Sequence, residues 1–276
     1  ARMGNNEHDQ ALADFDRAAQ LDPKSNVAFE NRSWAWRMKG DFDRAITEAE
    51  RSIELDPKRA SGYNYRGYAR MEKREYEQAL ADFDRAVELA PDSPDGYVNR
   101  SWAWRAKADF ARAIAEADRA LAIRPRSVNA LTNRGKAFRM SGQFEKALAD
   151  FQEGLRINPK SIEALQALAW LQATCPDEKL RDGNRGLANA QLANQLGGGK
   201  DGWSYDAIAA AYADLGDFAH AEEFEAKAVE LLMHEHDKAD CRSRLELYRE
   251  KKPYREEPKA SQPQAAEPAQ PAAGKA

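Results

Sequence analysis

A strict 34-residue period is the feature that most constrains this chain. Prolines recur at a constant interval of 34 residues, at Pro23, Pro57, Pro91, Pro125 and Pro159. An alanine lies twelve residues before each of these prolines, and a small residue lies ten residues after each of the first four. Because a fixed repeat of about 20–50 residues is the signature of a stacked-repeat protein, the period predicts a solenoid whose neighbouring units share one core.

Each unit is predicted to contain two short helices. The stretch before a proline, such as YEQALADFDRAVEL, has apolar residues three and four positions apart, which indicates an amphipathic helix. Proline suits the start of a helix but not its interior, so it separates this helix from a second one, such as AFENRSWAWRMK. A unit of two short helices cannot bury its apolar face alone, and neighbouring units must therefore stack.

The repeat resembles the tetratricopeptide repeat, which has aromatic, small and proline residues at fixed positions. The unit 26–59 matches at seven of them: Phe29, Ser33, Trp36, Phe42, Ala45, Ser52 and Pro57. The resemblance implies an all-α fold, a right-handed superhelical solenoid of helix-turn-helix tetratricopeptide repeats. It also implies that the chain is a protein- or peptide-binding scaffold or adaptor, and not an enzyme.

The resemblance divides the chain into five parts. We expect a truncated first repeat at 1–25 and four regular 34-residue repeats at 26–161. Two divergent repeats with inserted loops follow at 162–236, then a capping helix at 237–253. The last part, 254–276, is rich in Pro and Ala and is expected to be disordered.

Both ends of the chain carry a further expectation. Ala1 corresponds in register to Ala69, in the middle of a first helix, so we expect the natural polypeptide to continue upstream. The stretch from LAWLQATCPD to RLELYREKKPYRE resembles a C-terminal block of bacterial tetratricopeptide proteins, which implies a bacterial source.

Alternate units differ in their predicted core. One set of units has phenylalanine at a position where the other set has alanine, and the second set has a tryptophan thirteen residues earlier, as in Trp36 with Ala49. Exchanging a large for a small side chain keeps the core volume roughly constant. Because the 17-residue segment that begins at Glu30 recurs 68 residues later, duplication of a two-unit block explains the alternation equally well.

A ladder of arginines accompanies a ladder of acids at the same period. The arginines are Arg32, Arg66, Arg100 and Arg134, and the acids are Asp14, Glu48, Asp82, Glu116 and Asp150. The arginine position lies on the packed side of the first helix. We therefore expect structural ion pairs, with the arginine stems buried and the charges matched.

The opposite face of each first helix is the candidate binding site, since the resemblance places it in the concave groove. Side-chain amides both donate and accept hydrogen bonds, aromatic rings give contact area, and arginine favours carboxylates. The groove residues predicted on this basis are Asn31, Trp34, Arg37, Asn64, Tyr65, Tyr68, Asn99, Trp102, Arg105, Asn133, Lys136 and Arg139. The expected partner is a protein or an extended, partly acidic peptide. The alternative is a concave face that only contacts solvent.

Other classes of function find little support in the sequence. The net charge of −4 gives no reason to expect nucleic acid, and no apolar run is long enough for membrane insertion. No motif indicates a catalytic group, a cofactor or a metal. Two alternatives stay open: a regulatory or substrate-recruiting arm of an enzyme whose catalytic domain lies upstream of residue 1, and a structural protein that self-associates through its N-terminal face.

Overall fold

The computed structural model describes residues 5–259 and contains fourteen α-helices and no strand in that range. The helices are α1 Asn5–Leu21, α2 Asn26–Lys39, α3 Phe42–Leu55, α4 Ala60–Glu72, α5 Tyr76–Leu89, α6 Pro94–Ala106, α7 Phe110–Ile123, α8 Val128–Met140, α9 Phe144–Ile157, α10 Ile162–Thr174, α11 Gly183–Leu196, α12 Gly202–Asp214, α13 Phe218–Leu231 and α14 Glu235–Arg249. None of these helices is long and apolar enough to span a membrane.

The helices stack in two layers. From α2 onward, each even-numbered helix up to α12 pairs with the helix after it, and each pair packs on the next pair. The even-numbered helices from α2 to α12 also contact one another in series, which makes them the inner layer. The predicted all-α repeat solenoid is confirmed.

The turn inside each regular repeat depends on one residue with a left-handed backbone. These residues recur every 34 positions: Gly40, Arg74, Ala108 and Gly142 have φ values of 83°, 63°, 60° and 81°. In each turn this residue and the next one donate backbone hydrogen bonds to carbonyls of the preceding helix, as in the Schellman motif. Two of the four positions therefore hold a conformation that favours glycine without having a glycine.

Consecutive repeats fill equivalent core positions with side chains of different size. In the repeat 60–93, a Cβ atom added to Gly67 would lie 2.4 Å from Cε1 of Phe83, so the ring fills the volume that a side chain would need. In the repeat 26–59, the equivalent positions are Ser33 and Ala49, and the Ser33 hydroxyl donates to the Ala45 carbonyl at 2.7 Å. The large ring of Phe83 is therefore matched by the absent side chain of Gly67, and Ala49 is matched by Ser33, while the compensation by Trp36 stays a prediction.

The arginine ladder joins repeats as well as helices. In the repeat 94–127, Nη2 of Arg100 lies 2.9 Å from Oε1 of Glu116, and its Nε lies 3.3 Å from Oδ1 of Asp84 in the preceding repeat. The same arrangement links Arg32 to Glu48 and Asp16, Arg66 to Asp82 and Glu50, and Arg134 to Asp150 and Asp118. The predicted ion pairs are confirmed for the four arginines, whereas Asp14, the first acid of the predicted ladder, forms none among the described residues. The contact with the preceding repeat adds an electrostatic link between units.

The connection between α13 and α14 touches the second and third repeats. The imidazole of His234 stacks on Phe42 with a centroid distance of 5.6 Å, and its Nε2 lies 3.2 Å from Oε2 of Glu72. Met233 approaches Gly40 in the same region. These contacts join segments more than 150 residues apart, as the 162-residue separation of the histidine and the glutamate shows.

The predicted disorder of the tail is wrong for its first six residues, 254–259. The backbone N–H of Glu256 donates to the Thr174 carbonyl at 2.9 Å, and that of Lys259 donates to the Met140 carbonyl at 2.8 Å. The Glu256 side chain pairs with Arg139. The composition of the tail is typical of disorder, and the backbone hydrogen bonds and long-range ion pairs that order these six residues cannot be predicted from composition. The remainder of the predicted tail, 260–276, lies outside the described residues.

Candidate binding groove

The inner helices place the predicted groove residues at intermediate depth. Asn99 and Asn133 are buried, with 6% and 7% of their surface exposed. The other ten are half-buried: Asn31, Trp34, Arg37, Asn64, Tyr65, Tyr68, Trp102, Arg105, Lys136 and Arg139.

Four of the predicted residues meet in one cleft between α6 and α8. Asn99, Trp102, Arg105 and Asn133 line a space of about 250 Å³. The cleft therefore combines amide, aromatic and cationic groups.

Three further residues line the same cleft, and the sequence prediction missed them. They are Val98, Asn129 and Glu163, the last of which comes from the start of α10. A signal for them was present, because they occupy the second and fifth positions of their units, which lie on the predicted groove face.

The groove asparagines bond to one another and to their own helix. Nδ2 of Asn99 donates to Oδ1 of Asn64 at 2.9 Å, across two repeats. Nδ2 of Asn133 donates to the carbonyl of Asn129 at 3.2 Å. An amide has two N–H donors and one carbonyl, so these bonds orient the side chains and leave further capacity for a ligand.

Aromatic rings form a row along α4 and α6. The ring centroids of Tyr65 and Tyr68 are 6.1 Å apart, and those of Tyr68 and Trp102 are 6.3 Å apart. Trp102 also packs on the buried cluster that contains Met71 and Phe83. One side of this indole therefore contributes to the core while its edge borders the cleft.

The second tryptophan of each repeated segment is predicted from the sequence to face the core, but the structure buries it only in part. Trp36 and Trp104 are both half-buried. The guanidinium of Arg44 lies 4.5 Å from the centroid of Trp36, and that of Arg112 lies 4.4 Å from the centroid of Trp104. The indole of Trp104 also packs on the buried cluster that contains Phe83, and each indole is covered by a cation from the second helix of its repeat, a favourable cation–π arrangement.

Two of the three arginines on the groove face have a carboxylate partner. Nη1 of Arg37 lies 2.7 Å from Oε1 of Glu72, at the end of the next inner helix. Nη1 of Arg139 lies 2.5 Å from Oε2 of Glu256, in the segment that follows α14. Both pairs are shielded, since the four side chains have at most 21% of their surface exposed.

Arg105 has no such partner. Its Nη1 contacts Sδ of Met140 at 3.8 Å, at the position where Arg37 finds Glu72. Its Nε is buried without a hydrogen-bond partner. Within the part of the chain that the structure describes, no carboxylate lies within ion-pair distance of Arg105.

The ionisable groups around the cleft are two cations and one carboxylate. Burial lowers the pKa of Arg105 to about 10, below its usual value; the attraction of Glu163 opposes this shift, and the nearby Arg139 adds to it. Burial also lowers the pKa of Lys136, whose Nζ lies 2.6 Å from Oε1 of Glu163. The attraction of Lys136 lowers the pKa of Glu163 in turn. Two cations, Arg105 and Lys136, thus face the single carboxylate of Glu163.

A second buried cluster has the composition of a metal site but not its chemistry. Ligand atoms of Asp206, Glu225 and Cys241 lie within 4.8 Å of one another. Arg244 occupies the centre, with Nε 2.9 Å from Asp206 and Nη2 3.1 Å from Sγ of Cys241. Burial raises the pKa of Glu225 and of Cys241, which favours their neutral forms. A guanidinium that already bonds the potential ligand atoms does not fit a metal cation, and we interpret the cluster as structural.

Comparison with protein families assigns the chain. Models described as tetratricopeptide repeat match residues 1–60, 39–94, 65–127, 128–161 and 202–232. The chain belongs to the tetratricopeptide-repeat family, and it is a helical-repeat scaffold of the kind that binds proteins or peptides. No curated protein sequence matches it.

Solved structures share the fold at low sequence identity. A chain in the crystal structure of the APC/C hetero-tetramer Cut9–Hcn1 is 15% identical, with a TM-score of 0.68, and the match covers 88% of this chain and 46% of that one. A tetratricopeptide repeat protein from Parabacteroides merdae is 15% identical, with a TM-score of 0.63 and coverage of 88% and 93%. Yeast Tom70 is 15% identical, with a TM-score of 0.59 and coverage of 88% and 59%. This chain spans less than half of the first of these proteins.

Proposed function

We propose that this protein is a non-enzymatic scaffold whose concave groove binds an extended, partly acidic segment of a partner protein. The observation that carries the proposal is the side chain of Arg105, a shielded cation without a carboxylate partner in the described chain, beside Trp102 and Asn99 in one cleft.

The cationic group supplies the preference for an acid. A desolvated guanidinium that has lost water without gaining a partner is unfavourable, and a ligand carboxylate reverses this cost. Arg37 and Arg139 show the bound form of the same interaction, since each already contacts a glutamate. A Glu or Asp side chain of the partner would take the equivalent place at Arg105.

The neutral groups supply binding that does not depend on the ligand sequence. The amides of Asn99 and Asn133 can bond to the main chain of an extended segment. Trp102 and the adjacent Tyr68 offer a rigid aromatic surface to its side chains. Of the five remaining predicted residues, Lys136 borders the cleft beside Glu163, and the other four would extend the same surface toward α2: Asn31, Trp34, Asn64 and Tyr65.

A library of displayed, unstructured peptides selected on the full chain would test the proposal. The peptides recovered are then titrated against variants. Trp102→Ala should weaken binding by about 2–4 kcal/mol, as central aromatic anchors do. Asn99→Ala should cost about 1–2 kcal/mol, and Arg105→Gln should chiefly reduce the dependence of affinity on salt.

The control variants replace the same residue types outside the groove. Trp36 is half-buried against Arg44 of the outer helix α3, and Arg85 is an exposed residue of α5 that pairs with Glu88. Trp36→Ala and Arg85→Gln should bind every selected peptide as the wild type does. The proposal is wrong if selected peptides carry no acidic residue, or if Trp102→Ala and Arg105→Gln bind like their controls while remaining folded.

A further inference from the structure

The segment 254–259 runs along one edge of the inner layer. Its backbone N–H groups bond to Thr174 at the end of α10 and to Met140 at the end of α8. Earlier in the segment, Nη2 of Arg255 lies 2.7 Å from Oδ1 of Asp214, at the end of α12. The segment therefore crosses the C-terminal ends of three inner helices in reverse order, from α12 to α8.

The anchoring group of this segment is the carboxylate of Glu256. Only 9% of its side chain is exposed, and it meets Arg139, which is 15% exposed. Tyr254 adds a ring contact with Trp170 at 5.8 Å. The residues that follow the anchor, Glu257, Pro258 and Lys259, are exposed. Two ion pairs, two backbone hydrogen bonds and the Tyr254 ring thus carry most of the contact.

This internal contact has the chemistry that the groove offers to a ligand. An extended backbone donates to protein carbonyls, and its acidic side chain meets an arginine of the groove face. Met140 contacts both the segment 254–259 and the cleft, because its carbonyl accepts a hydrogen bond from the backbone N–H of Lys259 while its sulfur contacts Arg105. A ligand chain that binds at Arg105 and continues toward α10 would collide with the segment at this residue.

We propose that residues 254–259 are an exchangeable internal occupant of the groove edge, and that an extended acidic segment of a partner displaces them. Displacement makes Arg139 available as a second acid-binding arginine beside Arg105. The inference extends the proposed function, because it assigns the same ligand chemistry to the α8–α12 end of the groove. The segment lacks regular secondary structure, and beyond Tyr254 it is held mainly by ion pairs and hydrogen bonds, so these residues can open without unfolding the repeats.

Hydrogen exchange of the full chain tests whether Glu256 holds the segment. Glu256→Gln removes the buried charge and keeps the shape, while Glu257→Gln changes an adjacent, exposed carboxylate. Exchange in residues 254–259 should become about 10-fold faster or more in Glu256→Gln, because a charge-assisted hydrogen bond is lost. It should be unchanged in Glu257→Gln, and exchange in the repeat helices should be the same in all three proteins.

Binding in trans tests whether the occupant is exchangeable. The probe is a fluorescent synthetic peptide with the sequence of residues 251–259, KKPYREEPK. It should bind Glu256→Gln protein about 10-fold more tightly than wild-type protein, because its competitor is weakened by that factor. The Glu257→Gln protein should bind it like the wild type. The double variant Glu256→Gln/Arg139→Gln should bind it no better than the wild type.

The outcomes separate this inference from the proposed function. If exchange in 254–259 is equal in all variants, Glu256 does not anchor the segment and the inference is wrong. It is also wrong if exchange rises in Glu256→Gln but the probe binds all proteins equally. Neither result bears on the proposed function, because the peptides selected on the full chain are titrated separately against the Arg105 and Trp102 variants.

Discussion

Arg105 and Met140 stand in the same relation as Arg37 and Glu72, 35 residues apart in consecutive inner helices. One pair is an arginine with its carboxylate at 2.7 Å, and the other is an arginine against a thioether at 3.8 Å. Position 72 thus holds an acid that neutralises Arg37, and the equivalent position for Arg105 holds Met140, which carries no charge. In the proposed function, this difference leaves Arg105 as the cation that an acidic group of the partner contacts.

Replacing Met140 by glutamate should therefore give Arg105 an internal partner that competes with an acidic ligand. In Met140→Glu the new carboxylate can reach Arg105 as Glu72 reaches Arg37, and the affinity for acidic peptides should fall about 10-fold. The melting temperature should stay constant or rise slightly, because a shielded cation gains a partner. Peptide titration and thermal denaturation monitored by circular dichroism measure the two effects.

Met140→Gln is the matched control, because it has the size of glutamate without the charge. It should keep most of the affinity. Equal losses in the two variants would show that the volume at Met140 matters and that the charge of Arg105 does not.

Two arginines that contact the same glutamate should contribute unequally to the free energy of unfolding. Arg100 and Arg119 lie 2.9 Å and 3.0 Å from the same Oε1 of Glu116, but their side chains are 19% and 61% exposed. Burial raises the pKa of Glu116, so this carboxylate depends on its shielded partner. Arg100→Ala should lower the free energy of unfolding by about 1–3 kcal/mol, and Arg119→Ala by less than about 0.5 kcal/mol.

Urea denaturation gives both values directly, and selected peptides should bind the folded Arg100→Ala protein normally. Similar costs for the two substitutions would mean that solvent exposure does not set the strength of these pairs. A folded Arg100→Ala protein that fails to bind peptide would place this arginine in the binding site.

The sequence was sufficient for the ladder because both partners recur at the same period. Arg66 and Asp82 are 16 residues apart, and the same spacing returns in each regular repeat. Periodicity also located the inner face, since helical spacing fixes which positions share it. The role of Arg105 could not be deduced in this way. The role of Arg105 depends on Met140, and nothing in the sequence marks this methionine. Its importance is apparent only when its contact with Arg105 is compared with the contact between Arg37 and Glu72.

The contacts of the C-terminal segment were beyond sequence reasoning for another reason. Glu256 meets Arg139, 117 residues earlier, and the position of the segment depends on bonds to helix-end carbonyls. Every residue has a backbone N–H except proline, so such bonds have no sequence signature. The local composition, rich in Pro, Glu and Lys, is typical of disorder, and only the folded surface reverses that expectation.

Gly67 and Phe83 should show strong energetic coupling. A Cβ at position 67 would overlap the Phe83 ring, so Gly67→Ala should cost about 1–3 kcal/mol. In a Phe83→Ala background the space is free, and the same substitution should cost less than about 0.5 kcal/mol because alanine favours the helix. A double-mutant cycle by chemical denaturation gives the coupling.

Gly154→Ala provides the control for helix propensity. This glycine is buried within α9, and an added Cβ would meet its nearest neighbour at an ordinary 3.7 Å. The substitution should stabilise the protein by up to about 1 kcal/mol. If Gly67→Ala behaves like Gly154→Ala, the ring and the glycine are not complementary parts of one core.

The buried cluster around Arg244 should make stability fall as pH rises. Desolvation, together with the neighbouring Asp206, raises the pKa of Glu225 well above 4.5, so the folded protein keeps a proton that the unfolded chain releases. Arg244 opposes the shift, and the buried groups of Cys241 and Tyr248 face the same cluster. Because the folded state binds more protons, its free energy of unfolding decreases with pH above the carboxyl pKa of the unfolded chain.

Glu225→Gln removes this dependence, because its amide is neutral at every pH and has nearly the same shape. The difference in melting temperature between Glu225→Gln and wild type should therefore shift in favour of the variant as pH rises from about 5 to 8, the range above the unfolded carboxyl value. Glu230→Gln, an exposed change on the same helix, should give a difference that does not depend on pH. Calorimetry at several pH values measures the three curves. If Glu225→Gln runs parallel to the wild type, Glu225 is ionised in the folded protein and Arg244 balances both carboxylates.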